Sequence, residues 1–333
     1  MRKEALEKWL KEVGCFPLSI EPLVSDASFR RYFRLYTSSG TLIAMDAPPA
    51  LEDSASFIAI AQILAKWGVT VPDIMAVDLT QGFLLISDLG DATYLSSLTH
   101  QNADPLYDIA MNNLILMQHS SKGADWHIPS FNQKFMWQEW EWHKEWFLQK
   151  FLGLSLVSVE EELDHRMEQI IATALSQPQV FIHRDYHSAN LMVLPHQKMG
   201  VLDFQDAFIG PLTYDLVSLL RDCYIAWPEQ QVNVWTRRYW EKLQNLDPSF
   251  VTSYETFVCW FDWMGVQRHL KALFIFSRKQ IRDHQSKYLR HIPRTLNYVK
   301  KVSERHPQLA SLHEYYSNIV QPAFDRVSLL CGA

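Results

Sequence analysis

Long uncharged apolar runs are missing from this 333-residue chain, and none approaches the length that a membrane-spanning helix needs. Paired cysteines are missing too. Cys15, Cys223, Cys259 and Cys331 lie scattered with no CxxC spacing, which argues against a disulfide framework and reads as reduced thiols in a cytoplasmic protein. There is no excess of positive charge: a formal net charge of −6 speaks against a general nucleic-acid or anionic-membrane binder. No apolar segment follows the charged, amphipathic start, so no signal peptide is expected. Neither an internal repeat nor a low-complexity tract is present. What is abundant is core material, with 48% hydrophobic residues in a length that suits one large or two modest domains.

One stretch concentrates chemistry. Val180, Phe181 and Ile182 read as a strand and are followed by His183, Arg184, Asp185, four residues and Asn190. A second apolar run, Gly200, Val201 and Leu202, delivers Asp203 and Phe204. Phosphoryl transfer needs a carboxylate to accept the proton of the attacking hydroxyl. It also needs an amide oxygen and a second carboxylate to hold magnesium on the triphosphate. Asp185 suits the first role, and Asn190 and Asp203 suit the other two. The step of five residues lets one loop present Asp185 and Asn190 to one cavity. The bland alternative is a polar loop between strands with a salt-bridged Asp. His183 and His187 stand at i, i+4, but in a loop and with no third ligand nearby, so the segment is a poor zinc site.

The segment resembles the catalytic loop of the aminoglycoside phosphotransferase family of kinase-like enzymes. His187 stands where that family usually has the second His of an H-x-D-x-H-x-x-N loop. Residues 25–34 and 84–91 are most similar to bacterial cell-wall amino-sugar kinases, which act on the anomeric hydroxyl of N-acetylmuramate and N-acetylglucosamine. The resemblance covers nearly the whole chain. It implies an α+β, bilobal, protein-kinase-like fold, with a small β-rich lobe over 1–92 and a larger, mainly helical lobe over 93–333. It also implies ATP and Mg2+ as cofactors and a small-molecule sugar as partner, with no nucleic acid, no membrane and no obligate protein partner.

Along the chain, the apolar spacing predicts helices over 4–13 and 53–67, and strands over 18–24, 29–36, 41–45, 74–78 and 83–87. In a kinase the loop between the first two strands covers the phosphates and is Gly-rich. Here it reads Ser25, Asp26, Ala27, Ser28, and the hydroxyls of Ser25 and Ser28 are the candidate phosphate donors. The kinase Lys of the third strand is absent, since that strand reads Leu42, Ile43, Ala44, Met45, Asp46. Arg30 or Arg31 is the candidate substitute for its charge. Asp88 and Leu89 sit where the resemblance implies an adenine-binding hinge.

Beyond it, helices are expected over 105–120, 132–152, 158–176, 229–246, 253–276, 288–302 and 309–320. The second of these carries Trp137, Trp140, Trp142 and Trp146, read mainly as core, and Glu139, a candidate for sugar hydroxyls. Arg268 and Lys271 share a helix face with Gln267, and either receive an acceptor carboxylate or form a charged surface stripe. His187, Asp206 and Arg221 complete the candidate substrate residues. The resemblance gives Asp215 a supporting role beneath the catalytic loop, alongside His183; a plain helix cap predicts the same position. Two rival readings remain. One is a kinase for another small alcohol, such as choline, homoserine or an aminoglycoside. The other is a non-catalytic nucleotide-binding regulator, suggested by the missing Lys and glycines and opposed by the intact Asp185, Asn190 and Asp203.

Overall fold

The computed structural model describes residues 2–23, 29–122, 128–250 and 252–331. In chain order it holds α1 (Arg2–Glu12), β1 (Ser19–Leu23), β2 (Arg31–Thr37), β3 (Gly40–Asp46), α2 (Ser54–Lys66), β4 (Ile74–Asp78), β5 (Phe83–Ser87), α3 (Tyr94–Ser97) and α4 (Ala103–Ser120). Next come α5 (Gln133–Trp142), which runs on as a π-helix over His143–Phe151, then α6 (Glu160–Leu175), β6 (Gln179–Ile182), β7 (Leu191–Leu194), β8 (Lys198–Val201) and β9 (Phe208–Pro211). The chain closes with α7 (Tyr214–Leu220), α8 (Glu229–Leu246), α9 (Tyr254–Asp283), α10 (Ile292–Arg305), α11 (Ala310–Tyr315) and α12 (Gln321–Cys331). Among the described residues no helix is long and apolar enough to cross a membrane.

Two compact units result: Met1–Ile109 with Ala189–Asp206, and Ala110–Ser188 with Ala207–Ala333. The first is built on an antiparallel sheet in the order β1-β2-β3-β5-β4. The apolar stripe of α1, namely Leu6, Trp9 and Leu10, covers it against Phe33, Leu35, Ala44, Phe83 and Leu85. Each large side chain so buried contributes roughly 1.5–3 kcal/mol. Asp53 caps α2, its carboxylate accepting from the backbone N–H groups of Ala55 and Ser56. Gly82 turns the chain into β5 at φ +73°, and a Cβ there would stand 1.8 Å from the Ala47 carbonyl oxygen.

The hairpin of β7 and β8, which lies within the segment 93–333, packs with this first unit. Gly200 bridges to Thr70, and Met192 to Thr93. A Cβ on Gly200 would meet Leu89 Cδ1 at 2.7 Å, so the close seat of the hairpin needs glycine.

The second unit is helical, with one small antiparallel pair, β6 with β9. At its centre runs α9, buried on all sides from Phe261 to Phe274. It continues past the expected stop at 276 to Asp283. Ser277 is buried there and donates to the Leu273 carbonyl at 2.8 Å, so this polar residue extends the helix instead of ending it. The helix expected over 132–152 changes to π-helical hydrogen bonding from His143. Two short strands, β7 and β9, were not expected from the sequence.

Candidate active site

In the first unit, Asn190 and Asp203 come together from the two ends of the β7–β8 hairpin. Asn190 Nδ2 lies 3.4 Å from Asp203 Oδ2, and Gln205 Nε2 donates to Asp203 Oδ1 at 2.7 Å. The Leu202 N–H donates to the Asn190 carbonyl at 2.9 Å and closes the hairpin base. Phe204, the following residue of the motif, packs its ring on Phe57 of α2 with centroids 4.9 Å apart. Asp203 itself has φ +61°, a left-handed conformation that costs a non-glycine residue energy and that clusters at functional sites.

The arginines of β2 have partners within the same unit. Arg30 is buried and pairs with Glu52 at 3.0 Å, while Glu52 also accepts from the Phe29 N–H. Arg31 pairs with Asp46, the last residue of the strand that lacks a Lys, and Arg2 reaches the same carboxylate. Asp46 is fully buried, so these two cations compensate its desolvation. Arg34 binds Asp88 at 2.7 Å and Asp91 at 2.7 Å. Asp88 is therefore held by a side-chain pair, and its carboxylate also accepts from the Gly90 N–H at 2.9 Å. Leu89 seats the β7–β8 hairpin at Gly200. Ser25 and Ser28 lie outside the described residues.

In the second unit, Asp185 leaves β6 in a loop anchored from below. The Asp215 carboxylate, at the start of α7, accepts from the backbone N–H of His183 at 2.5 Å and of Arg184 at 3.0 Å. Asp215 thus supports the loop, and Thr213, not Asp215, holds the cap position of α7. His183 is fully buried and takes the Asp185 N–H on Nδ1 at 3.3 Å. Arg184 adopts φ +75° and lays its guanidinium between Phe135 and Phe208, at 5.0 and 4.7 Å from the ring centroids.

Two cations from α9 meet the Asp185 carboxylate. Arg268 Nη2 lies 3.2 Å and Lys271 Nζ 3.4 Å from the same oxygen, Oδ1. Both are buried and held from behind, Arg268 Nε by Ser218 Oγ at 2.9 Å and Lys271 Nζ by the Tyr214 hydroxyl at 3.3 Å. Burial by itself would raise the Asp185 pKa, but Lys271 and then Arg268 and His187 hold it well below the usual carboxylate range. Burial pushes the Lys271 ammonium down to about 8, against the pull of Asp185. One residue before Arg268, Gln267 donates to Glu139 at 2.7 Å, and Glu139 also pairs with Arg184 at 3.3 Å. The Gln267–Arg268–Lys271 face is buried, not a surface stripe.

Arg221 is placed differently from its expected substrate role. It is 2% exposed, pairs with Asp262 at 2.8 Å and Glu229 at 3.0 Å, and covers the Phe261 ring, so its charge is matched inside the helical framework. Asp206 is exposed. Sequence reasoning missed Tyr214 and Tyr224, and read Asp222, with Arg221, as a group that assists the metal or meets substrate. Asp222 is buried and accepts from the Ser188 N–H at 2.9 Å and the Tyr224 N–H at 2.7 Å. A buried acid directly after an apolar helix end was the only signal available. No group of three or more His, Cys, Asp or Glu among the described residues is placed to hold a metal ion, so the His183 and His187 pair gains no third ligand.

The model of the phosphotransferase enzyme family (APH) matches residues 19–248. The N-acetylmuramate/N-acetylglucosamine kinase of Pseudomonas aeruginosa is 42% identical over 311 residues, covering 92% of this chain and 90% of its own. The protein of the same name from Pseudomonas putida is 40% identical over 302 residues, covering 90% and 88%. Among solved structures, the choline kinase LicA from Streptococcus pneumoniae superposes with a TM-score of 0.65 at 12% identity, covering 93% of this chain and 99% of that one. The fold is that of the kinase-like phosphotransferases, with a small β-sheet region and a larger helical part.

Proposed function

This chain belongs to the phosphotransferase enzyme family, and from that membership we propose that it transfers the γ-phosphate of ATP to the anomeric hydroxyl of an N-acetylated amino sugar, N-acetylmuramate or N-acetylglucosamine. Support for the acceptor comes from relatives that carry this name and cover 92% and 90% of this chain. Support for the chemistry comes from one observation above the rest. Asn190 and Asp203, thirteen residues apart, converge to 3.4 Å, with Asp203 in a strained backbone conformation.

Asn190 and Asp203 would hold magnesium. Their oxygens are the hard donors that the ion takes, in the small number that leaves room for phosphate and water. The Asn190 amide, turned over, presents oxygen in place of nitrogen with no change of shape. When bound, the ion neutralises charge on the transferring phosphoryl group. Asp185 accepts a hydrogen bond from the acceptor hydroxyl, orients it and receives its proton as the new bond forms. A carboxylate held this low is a weak base. It suits an anomeric hydroxyl, which is more acidic than an ordinary alcohol. Glu139, with its Gln267 and Arg184 partners, and His187 line the acceptor side; Arg268 and Lys271 set the charge at Asp185. Ser25, Ser28, Arg30, Arg31 and the backbone at Asp88 and Leu89 serve the nucleotide, and Asp206 the acceptor or the metal. We place the reaction in the cytoplasm, where ATP is available and where free thiols such as Cys15, Cys223 and Cys259 persist.

The test is ADP release with ATP and magnesium across N-acetylmuramate, N-acetylglucosamine, glucose, choline and kanamycin. Turnover is expected on the N-acetyl sugars. Asp185→Asn should lower kcat by about a hundredfold or more. Equal turnover by Asp185→Asn would remove that residue from the reaction. Turnover on choline or kanamycin alone would remove the acceptor assignment.

A further inference from the structure

Arg268 and Lys271 both reach one oxygen of Asp185. A second group of cations lies near the same loop. Tyr224 stands edge-on to the ring of His187, two residues past Asp185, with centroids 5.1 Å apart at 75°. Tyr224 also meets the ring of His291, with centroids 4.8 Å apart at 85°. Arg290 and Arg294 flank His291. Arg290 Nε donates to His291 Nε2 at 3.2 Å, and Arg294 Nη1 donates to the Cys223 carbonyl at 3.0 Å.

This patch is tied to the catalytic loop. The Asp222 carboxylate accepts from the Ser188 N–H at 2.9 Å with one oxygen and from the Tyr224 N–H at 2.7 Å with the other. One buried acid therefore fixes the distance between the loop that carries Asp185 and the ring of Tyr224. The patch is also open to a ligand: His187, Tyr224, His291 and Arg294 are half-buried and Arg290 is exposed. Among the described residues neither Arg290 nor Arg294 is within ion-pair distance of a carboxylate, and a guanidinium with five N–H donors keeps capacity after a single bond. Burial, with Arg290 and Arg294, pushes His291 down to about 4, so its ring stays neutral and the patch charge comes from the two arginines.

We propose that Tyr224, His291, Arg290 and Arg294 form an acceptor subsite for a carboxylate-bearing sugar, with the pyranose ring against Tyr224 and the carboxylate on the two guanidiniums. The proposal rests on the amino-sugar reading above and adds the residues that recognise an acidic member of that class. A planar guanidinium fork matches a carboxylate in geometry as well as charge. A tyrosine offers an apolar face to the sugar C–H groups and a polar rim to its hydroxyls. N-acetylmuramate carries a lactyl carboxylate and N-acetylglucosamine does not, so the pair isolates this contact.

The experiment compares kcat/KM on these two sugars for the wild type, Arg290→Met, Arg294→Met, the double variant and Arg294→Lys. The double variant should lower the ratio of N-acetylmuramate to N-acetylglucosamine efficiency at least tenfold, through KM. Arg294→Lys should retain part of the preference. Tyr224→Ala should raise KM for both sugars. Calorimetric binding of N-acetylmuramate, which requires no turnover, should weaken in the double variant by a similar factor. A ratio that stays within twofold of the wild type overturns the subsite while leaving the acceptor reading intact. A wild type that turns over neither sugar sinks the acceptor reading, and one that also fails to bind N-acetylmuramate sinks the subsite with it.

Discussion

Asp185 carries two buried cations on one oxygen, and this sets how its activity should depend on pH. Lys271 is the member that titrates in the working range, at about 8, because burial disfavours its ammonium more than Asp185 restores it. Asp185, Arg184, Arg268, Glu139 and the Tyr214 hydroxyl are the groups that face it. Below pH 8 the ammonium is charged and Asp185 is held; above it one of the two clamps is lost. Turnover should therefore fall on a basic limb with an apparent pKa near 8. In Lys271→Arg, whose guanidinium stays charged, that limb should move up by a unit or more in kcat profiles from pH 6 to 10. At this scale local spacing alone brings Asp185, Asn190 and Asp203 forward as candidates. It could not identify partners such as Asp46 for Arg31, Asp88 for Arg34, or the α9 cations for Asp185, because each pair is closed by the fold across many residues. The same limit explains Arg221, whose exposed-looking sequence context hides a burial between α8 and α9.

At the scale of elements, strands β4 and β5 and helix α8 run where the apolar spacing places them. Each is bounded by a strong turn or helix signal. The two missed strands had none. Leu191–Leu194 follows the loop motif directly, and Phe208–Pro211 ends in a Gly-Pro pair that reads as a turn although Gly210 and Pro211 pair with Val180 and Gln179. The turn into β5 carries a sharper prediction. Gly82→Ala places a methyl group into the Ala47 carbonyl and forces a left-handed conformation on alanine. It should cost about 2 kcal/mol or more and lower the urea midpoint, whereas Gly40→Ala, with open space around its Cβ, should cost less.

Across the whole molecule, two buried histidines link stability to acid. His143 sits between the Leu270 carbonyl and the Tyr316 hydroxyl, and His269 Nε2 bonds the Arg221 carbonyl. Burial pushes both down to about 3. A folded pKa below the unfolded value gives stability that is present above about pH 6.5 and lost as pH falls, since only the unfolded chain takes up the proton. Between pH 7 and 5 each should remove about 2 kcal/mol, read as a falling melting temperature that His143→Phe partly relieves in slope. The chain path has a different consequence, one of time. The first unit is left at Ile109 and re-entered at Ala189, where the hairpin of Asn190 and Asp203 seats on Leu89 and Thr70. During synthesis the intervening segment delays that hairpin by on the order of ten seconds. Through that interval the nascent sheet must wait with the Thr70 carbonyl and the Leu89 side chain lacking their final neighbours. A fragment cut at 109 would keep that vacancy permanently, and a cut late enough to keep the hairpin carries residues 110–188 of the second unit with it.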